Sequence, residues 1–256
     1  MASVKITFIG HASFRFESEK STTYFDAWFD DNPTAKMKLS QVRKADIVIA
    51  SHGHRDHIGD SYALCKKTRA KFVGNYELCA VAEQVHGLKM GSRSLSMNPG
   101  GTVKVKDASI TMVQGHHSQS LSDHVIGADL PPGLLFHPDS AVNGFCIAYD
   151  NGITIYDTAD TCLFSDMQLI GQMYGPQIMV MPVGGQYTMG VREAARAASL
   201  VRPDVVIPCH YGPVMGQPAD IKELKRAVKF LSPNTEVVEM KVGQTLIYTA
   251  SSCRVK

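Results

Sequence analysis

Ala45-Asp46-Ile47-Val48-Ile49-Ala50-Ser51-His52-Gly53-His54-Arg55-Asp56-His57-Ile58-Gly59 is the stretch that decides the fold. Its apolar run, 47–50, has the length and β-branching of a buried strand. Ser51 and Gly53 turn the chain directly afterwards, so His52, His54, Asp56 and His57 gather at the strand's carboxyl tip. Open α/β sheets carry their sites at such tips. Three imidazoles and a carboxylate crowded together would each lose water or repel a neighbour, a cost that a divalent cation removes. His52 and His54 alternate about Gly53 and, in an extended segment, grip one ion. Asp56 and His57 lie just beyond and face a second ion, at a separation suited to a bridging hydroxide. Imidazole with carboxylate suits zinc, manganese, iron or nickel. No Cys-x-x-Cys pair occurs, which argues against a structural zinc ribbon.

Outward from this stretch the strand-then-ligand arrangement repeats. Segments 102–105 and 109–113 read as a hairpin that delivers Gly115-His116-His117-Ser118. Segment 204–208 is another buried strand ending in Cys209-His210-Tyr211-Gly212, so His210 joins the second ion's set. Segments 4–9, 13–17 and 22–29 read as strands before the central stretch, with Gly10-His11-Ala12 between the first two. After it come a helix at 61–68, a strand at 71–75 and an amphipathic helix at 77–86 stopped by Gly87. Segments 144–149 and 153–156 form a hairpin turning at Asp150-Asn151-Gly152. A helix at 164–174, a strand at 177–181 and a helix through Leu200 with Thr188 as its N-cap follow. A helix at 220–230 and strands within 236–248 close the chain. Segment 119–143 has no clear periodicity and contains Pro131-Pro132-Gly133 and His137-Pro138. It reads as a flap over the pocket or an oligomer contact, with His124 and His137 solvated. Each half has several strands and then helices, with no linker between. One α/β domain over 1–256, a four-layer αββα sandwich of two facing sheets flanked by helices, accounts for this pattern.

The His-x-His-x-Asp-His signature resembles the metallo-β-lactamase superfamily of metal-dependent hydrolases. FIGHASFRFES (8–18), TTYFDAWFDDNP (22–33), ADTCLFSDM (159–167), PVGGQYTMG (182–190) and PCHYGP (208–213) are similar to blocks of its branch containing the ascorbate-6-phosphate lactonases. The resemblance implies the αββα fold and a binuclear site. Its pattern places a ligand immediately before a serine, which matches His117 and leaves His116 facing the pocket or solvent. It assigns to Asp160 the carboxylate between the ions, in a block where Ala159 stands for glycine; Asp157 is the competing carboxylate. The resemblance also puts Asp26 behind the site, accepting the free N–H of a ligand histidine, with a strand-end turn as the alternative. It makes His11 a residue behind the ligands or in the pocket, the alternative being a satisfied turn histidine. Arg55 replaces a small residue of the family, and either attracts anionic substrates or points to solvent. Tyr187 either donates to a substrate oxyanion or simply packs.

With 44% hydrophobic and 20% charged residues and a formal charge of +2, nothing in the 256-residue chain indicates a nucleic-acid or membrane-surface binder. No apolar run reaches the roughly 18 residues of a membrane span. Six scattered cysteines and the lack of a signal peptide are expected of a cytoplasmic protein. The expected chemistry is hydrolysis by hydroxide bridging two divalent cations, with Asp56 shuttling the proton. The expected substrate is a small, anionic ester, lactone or phosphoester, and the protein is expected to be a homo-oligomer. Two other readings compete. A redox di-iron protein on the same scaffold prefers a glutamate at the place of His54 and a flavin-binding partner. A metal-binding protein without enzymatic activity is the third.

Overall fold

The computed structural model describes residues 2–118, 142–249 and 252–255. The flap or oligomer reading of 119–143, with His124 and His137, lies almost wholly outside the described residues. The chain opens with an antiparallel meander, β1 (Ser3–Gly10), β2 (Ser13–Glu17) and β3 (Thr22–Phe25), then adds parallel β4 (Ile47–Ile49), β5 (Lys71–Asn75) and β6 (Ser94–Met97). Helices α1 (Arg55–Ile58) and α2 (Ser61–Thr68) lie between β4 and β5, and α3 (Tyr76–Gln84) between β5 and β6. A second sheet begins with antiparallel β7 (Thr102–Val105), β8 (Ala108–Gln114), β9 (Asn143–Tyr149) and β10 (Thr154–Asp157). It then alternates α4 (Met167–Tyr174), β11 (Ile178–Pro182), α5 (Val191–Val201), β12 (Val205–Cys209), α6 (Ile221–Leu231) and β13 (Glu236–Val237). Finally β14 (Thr245–Thr249) and β15 (Ser252–Val255) return to pair beside β1. The spatial orders are β15-β14-β1-β2-β3-β4-β5-β6 and β13-β12-β11-β10-β9-β8-β7.

The period-two alternation of the strands sorts their apolar side chains into three layers. Ile47 and Ile49 point inward, meeting Phe14, Phe16, Phe145, Ile155 and Ile207 between the sheets. Val48 points outward to Leu64, Cys65 and Leu78 under α2 and α3. On the other side Val206 and Met179 pack under Ala194, Ala198 and Leu224 of α5 and α6. Central strands covered on both faces read as unbroken apolar runs, which is why 47–50 and 204–208 stand out. Each such fully buried side chain stabilises by about 1.5–3 kcal/mol. At the crossing of α4 and α5, a Cβ on Gly171 would lie 2.7 Å from the Val201 carbonyl oxygen, so only glycine allows this approach.

The two-sheet sandwich flanked by helices is as expected, but several boundaries differ. The third strand ends at Phe25 rather than 29, because Asp26 turns left-handed with φ 47°. The helix expected from Phe164 starts at Met167. Thr188 does not cap α5: the N-cap is Gly190, and the Thr188 hydroxyl is buried without a hydrogen bond. Asn75 and Asp220 do cap, accepting from Leu78 N–H at 2.9 Å and Glu223 N–H at 3.0 Å. The one-turn α1 and the strands β6 and β15 were not expected from sequence.

Candidate metal centre

Strands β4, β8, β10 and β12 all end at one edge of the sandwich, and the polar residues that follow them converge there. After β4 the chain runs extended through His52 and His54, and His54 is the N-cap of α1. That single turn brings Asp56 and His57 to the opposite side of Asp160 from His54, with the His57 ring still 4.1 Å from that of His52. The result is two groups whose ligand atoms each lie within 4.8 Å of one another: His52, His54, His117 and Asp160, and His11, Asp56, His57 and His210.

Asp160 stands between them. Its Oδ2 lies 3.1 Å from His57 Nε2, 3.1 Å from His210 Nε2 and 3.6 Å from His117 Nε2. Asp56 Oδ2 is 2.9 Å from His11 Nε2 and 3.5 Å from both His57 Nε2 and His210 Nε2. The left-handed Ala159, φ 53°, helps aim Asp160, so alanine keeps the bend that glycine would give. The competing Asp157 belongs to neither group; its Oδ1 accepts from Ala159 N–H at 3.1 Å, and burial pushes its carboxyl well above the usual range.

Behind both groups sits the fully buried Asp26. Its Oδ1 accepts Ser51 N–H at 2.8 Å, and its Oδ2 accepts the Ser51 hydroxyl at 2.7 Å. The same Oδ2 is 2.7 Å from His57 Nδ1, which identifies that nitrogen as a donor. Ser51 Oγ spends its proton on Asp26 and therefore accepts from His52 Nδ1–H at 2.9 Å. One carboxylate thus fixes Nδ1 as the donor in a histidine of each group, so that Nε2 is the nitrogen left for a cation.

The electrostatics are divided. Burial, reinforced by the neighbouring His57, holds His52 and His54 below the ordinary imidazole range, and burial also lowers His117 despite the Asp160 charge. Burial opposes the charged form of His210, but Asp160 and Asp56 together outweigh it and raise the group to about 9. His57 is likewise raised, against burial, by Asp160, Asp56 and Asp26. Asp56 and Asp160 resist burial because His57 and His210 hold them below the carboxylate range.

These residues fit a bound cation. His57 Nε2, both ring nitrogens of His210, His11 Nδ1 and Asp160 Oδ1 are buried without a hydrogen bond of acceptable direction. Orphaned buried groups cost about 1–3 kcal/mol each. A cation among them turns that cost into coordination, and imidazole with carboxylate is the donor set of borderline divalent metals.

The remaining sequence candidates lie outside both groups. His116 packs edge-on against Phe164, ring centroids 4.9 Å apart, and its backbone N–H donates to Thr161. Arg55 donates to Asp31 at 2.6 Å, with its side chain 56% exposed, so its charge is paired at the surface and does not face the clefted histidines. Tyr187 is half exposed. The sequence left His11 behind the ligands, in the pocket or in a satisfied turn, and the structure puts it among the second group. Ser51, expected only to turn the chain, also accepts from His52 Nδ1–H.

Residues 5–210 match the family model of the β-lactamase superfamily domain. A UPF0173 metal-dependent hydrolase of Archaeoglobus fulgidus is 36% identical over 245 residues, covering 94% of this chain and 98% of the relative. One from Pyrococcus furiosus is 36% identical over 245 residues, covering 95% and 99%. The structure of a metallo hydrolase from the hyperthermophilic archaeon Ignicoccus hospitalis superimposes with a TM-score of 0.80 at 30% identity, covering 96% of this chain and 99% of that one. Family match, relatives and sandwich agree: the chain belongs to the metallo-β-lactamase superfamily, among its UPF0173 metal-dependent hydrolases.

Proposed function

We propose that the chain hydrolyses a small ester, lactone or phosphoester at a centre of two divalent cations, with zinc the metal that the donors suit. The observation that carries this reading is the pair of four-residue groups with Asp160 Oδ2 between them. Two such cations supply Lewis acidity and ionised water at neutral pH. His52, His54 and His117 would hold the first, and Asp56, His57 and His210 the second, with Asp160 shared. Asp26 keeps His57 and His52 in the tautomers that ligation needs. Asp56, kept ionised, would take a proton from water and return it to the leaving group. Arg55 is left out of substrate attraction because Asp31 already pairs with it. The redox reading expects glutamate where this chain has His54, which belongs to the first group.

The test is metal analysis of the purified chain together with turnover of a lactone, a phosphodiester and a thioester, before and after chelation. Two equivalents of metal and hydrolysis lost on chelation are expected. A folded chain that takes up no metal, or one that binds metal and shows redox activity without hydrolysis, refutes the proposal.

A further inference from the structure

We infer that His11 is itself a ligand of the second cation, so that each cation is held by three imidazoles, with Asp160 shared and Asp56 added at the second. The inference rests on the two-cation reading above and deepens it. A site of Asp56, His57 and His210 alone would have two nitrogens and one or two carboxylate oxygens. A third imidazole shifts its preference toward zinc, cobalt(II) or nickel and away from manganese or magnesium.

The geometry points there from several directions. His11 sits in the two-residue turn between β1 and β2, on the first sheet, while His210 sits at the tip of β12 on the second. Both are left-handed, with φ 57° and 55°, and His210 N–H donates to the His11 carbonyl at 3.0 Å. This backbone clasp brings the two rings to a centroid distance of 4.0 Å. The His11 ring is buried, 3% exposed, and the Trp28 indole packs edge-on behind it at 5.7 Å, which keeps it from swinging outward. A hydrogen bond to Asp56 uses only one of its nitrogens, and Nδ1 has no partner. A histidine needed only to orient Asp56 does not have to bring a ring nitrogen within 4.8 Å of ligand atoms from His57 and His210 as well. Two left-handed non-glycine residues at one point, each costing about 1–3 kcal/mol, mark a place held for function.

The experiment titrates the full chain, stripped of metal, with zinc or cobalt(II) against a chromophoric chelator. It compares wild type with His11→Asn and His11→Gln, with circular dichroism to verify folding. Asparagine tolerates the left-handed backbone but removes the imidazole. Glutamine keeps an N–H donor for Asp56 while offering only a weak ligand. Wild type binds two equivalents. Both variants weaken the second equivalent by more than about 100-fold, beyond the roughly 10–100-fold expected when a group behind a ligand is lost. X-ray absorption of the zinc-loaded wild type then reports an average of about three imidazoles per ion. If His11→Gln keeps both equivalents within about threefold of wild type, His11 only orients Asp56 and the inference falls while the two-cation reading stands. If wild type itself binds fewer than two equivalents, both fall together.

Discussion

Replacing Asp26 by asparagine tests how the ligands are held. Asp26 is fully buried, with φ 47°, a conformation asparagine also accepts, so the backbone stays in place. The carboxylate receives three hydrogen bonds, from Ser51 N–H at 2.8 Å, Ser51 Oγ–H at 2.7 Å and His57 Nδ1–H at 2.7 Å. An asparagine carbonyl can serve Ser51 N–H or the Ser51–His57 pair, but not both, and its NH2 then faces a donor. If NH2 faces His57, the imidazole escapes the clash by moving its proton from Nδ1 to Nε2, the nitrogen that should ligate. One buried unsatisfied donor costs about 1–3 kcal/mol, and loss of a charge-assisted bond adds about 1 kcal/mol. The expected loss is therefore about 2–4 kcal/mol, a large part of the roughly 5–15 kcal/mol of a native domain. Metal affinity should fall about 10–100-fold. Urea unfolding of the metal-free chain measures the first quantity, and chelator competition the second. A stability change below about 1 kcal/mol with affinity unchanged within about twofold would refute the view of Asp26 as the common anchor of both groups.

Four further outcomes are expected. His117→Ala should weaken cation binding by more than about 100-fold, whereas His116→Ala, which removes only a ring packed on Phe164, should leave it within about threefold by the same competition assay. Filling the second group should release protons at neutral pH, because His57 is raised and His210 is raised to about 9 and a cation must displace those protons. Its affinity should therefore climb from pH 6 to about 9 while that of the first group, whose imidazoles are already neutral, stays flat; calorimetry in buffers of different ionisation heat reads this directly. Gly171→Ala should lower stability by about 1–3 kcal/mol, since its Cβ would meet the backbone of Val201, and the melting temperature should drop by roughly 2–4 °C per kcal/mol. Ala159→Gly relieves a left-handed alanine worth about 1–2 kcal/mol but adds about 0.5–1 kcal/mol of chain entropy, so thermal unfolding should show a gain between about 0 and 1.5 kcal/mol.

The sandwich was legible because its central strands are covered on both sides. Ile47 to Ile49 and Val205 to Cys209 are unbroken apolar runs only because helices lie over them. β6 hid because Ser94-Leu95-Ser96-Met97 carries little β signal by itself and becomes a strand through pairing with β5. The four-residue α1 is too short for periodicity to declare it, yet it sends Asp56 and His57 to a different group from His54. The local cluster at 52–57 could be read from spacing, whereas His11 could not. Its nearness to His210 comes from a hydrogen bond between turns 199 positions apart on opposite sheets, and no local pattern encodes that distance. Arg55, left open between substrate attraction and the surface, shows the opposite case: its neighbours in sequence belong to the two groups, but its partner in space is Asp31.

The left-handed backbone at His11, Asp26, Ala159 and His210 also limits how this centre can be rebuilt. Asparagine and aspartate share histidine's tolerance of that conformation, whereas β-branched side chains do not. Exchange of imidazole for a carboxyl or carboxamide oxygen at 11 or 210 is thus open to engineering without bending either turn, and each such exchange moves the donor set toward harder cations. Valine, isoleucine or threonine at those places would injure the scaffold before altering the metal.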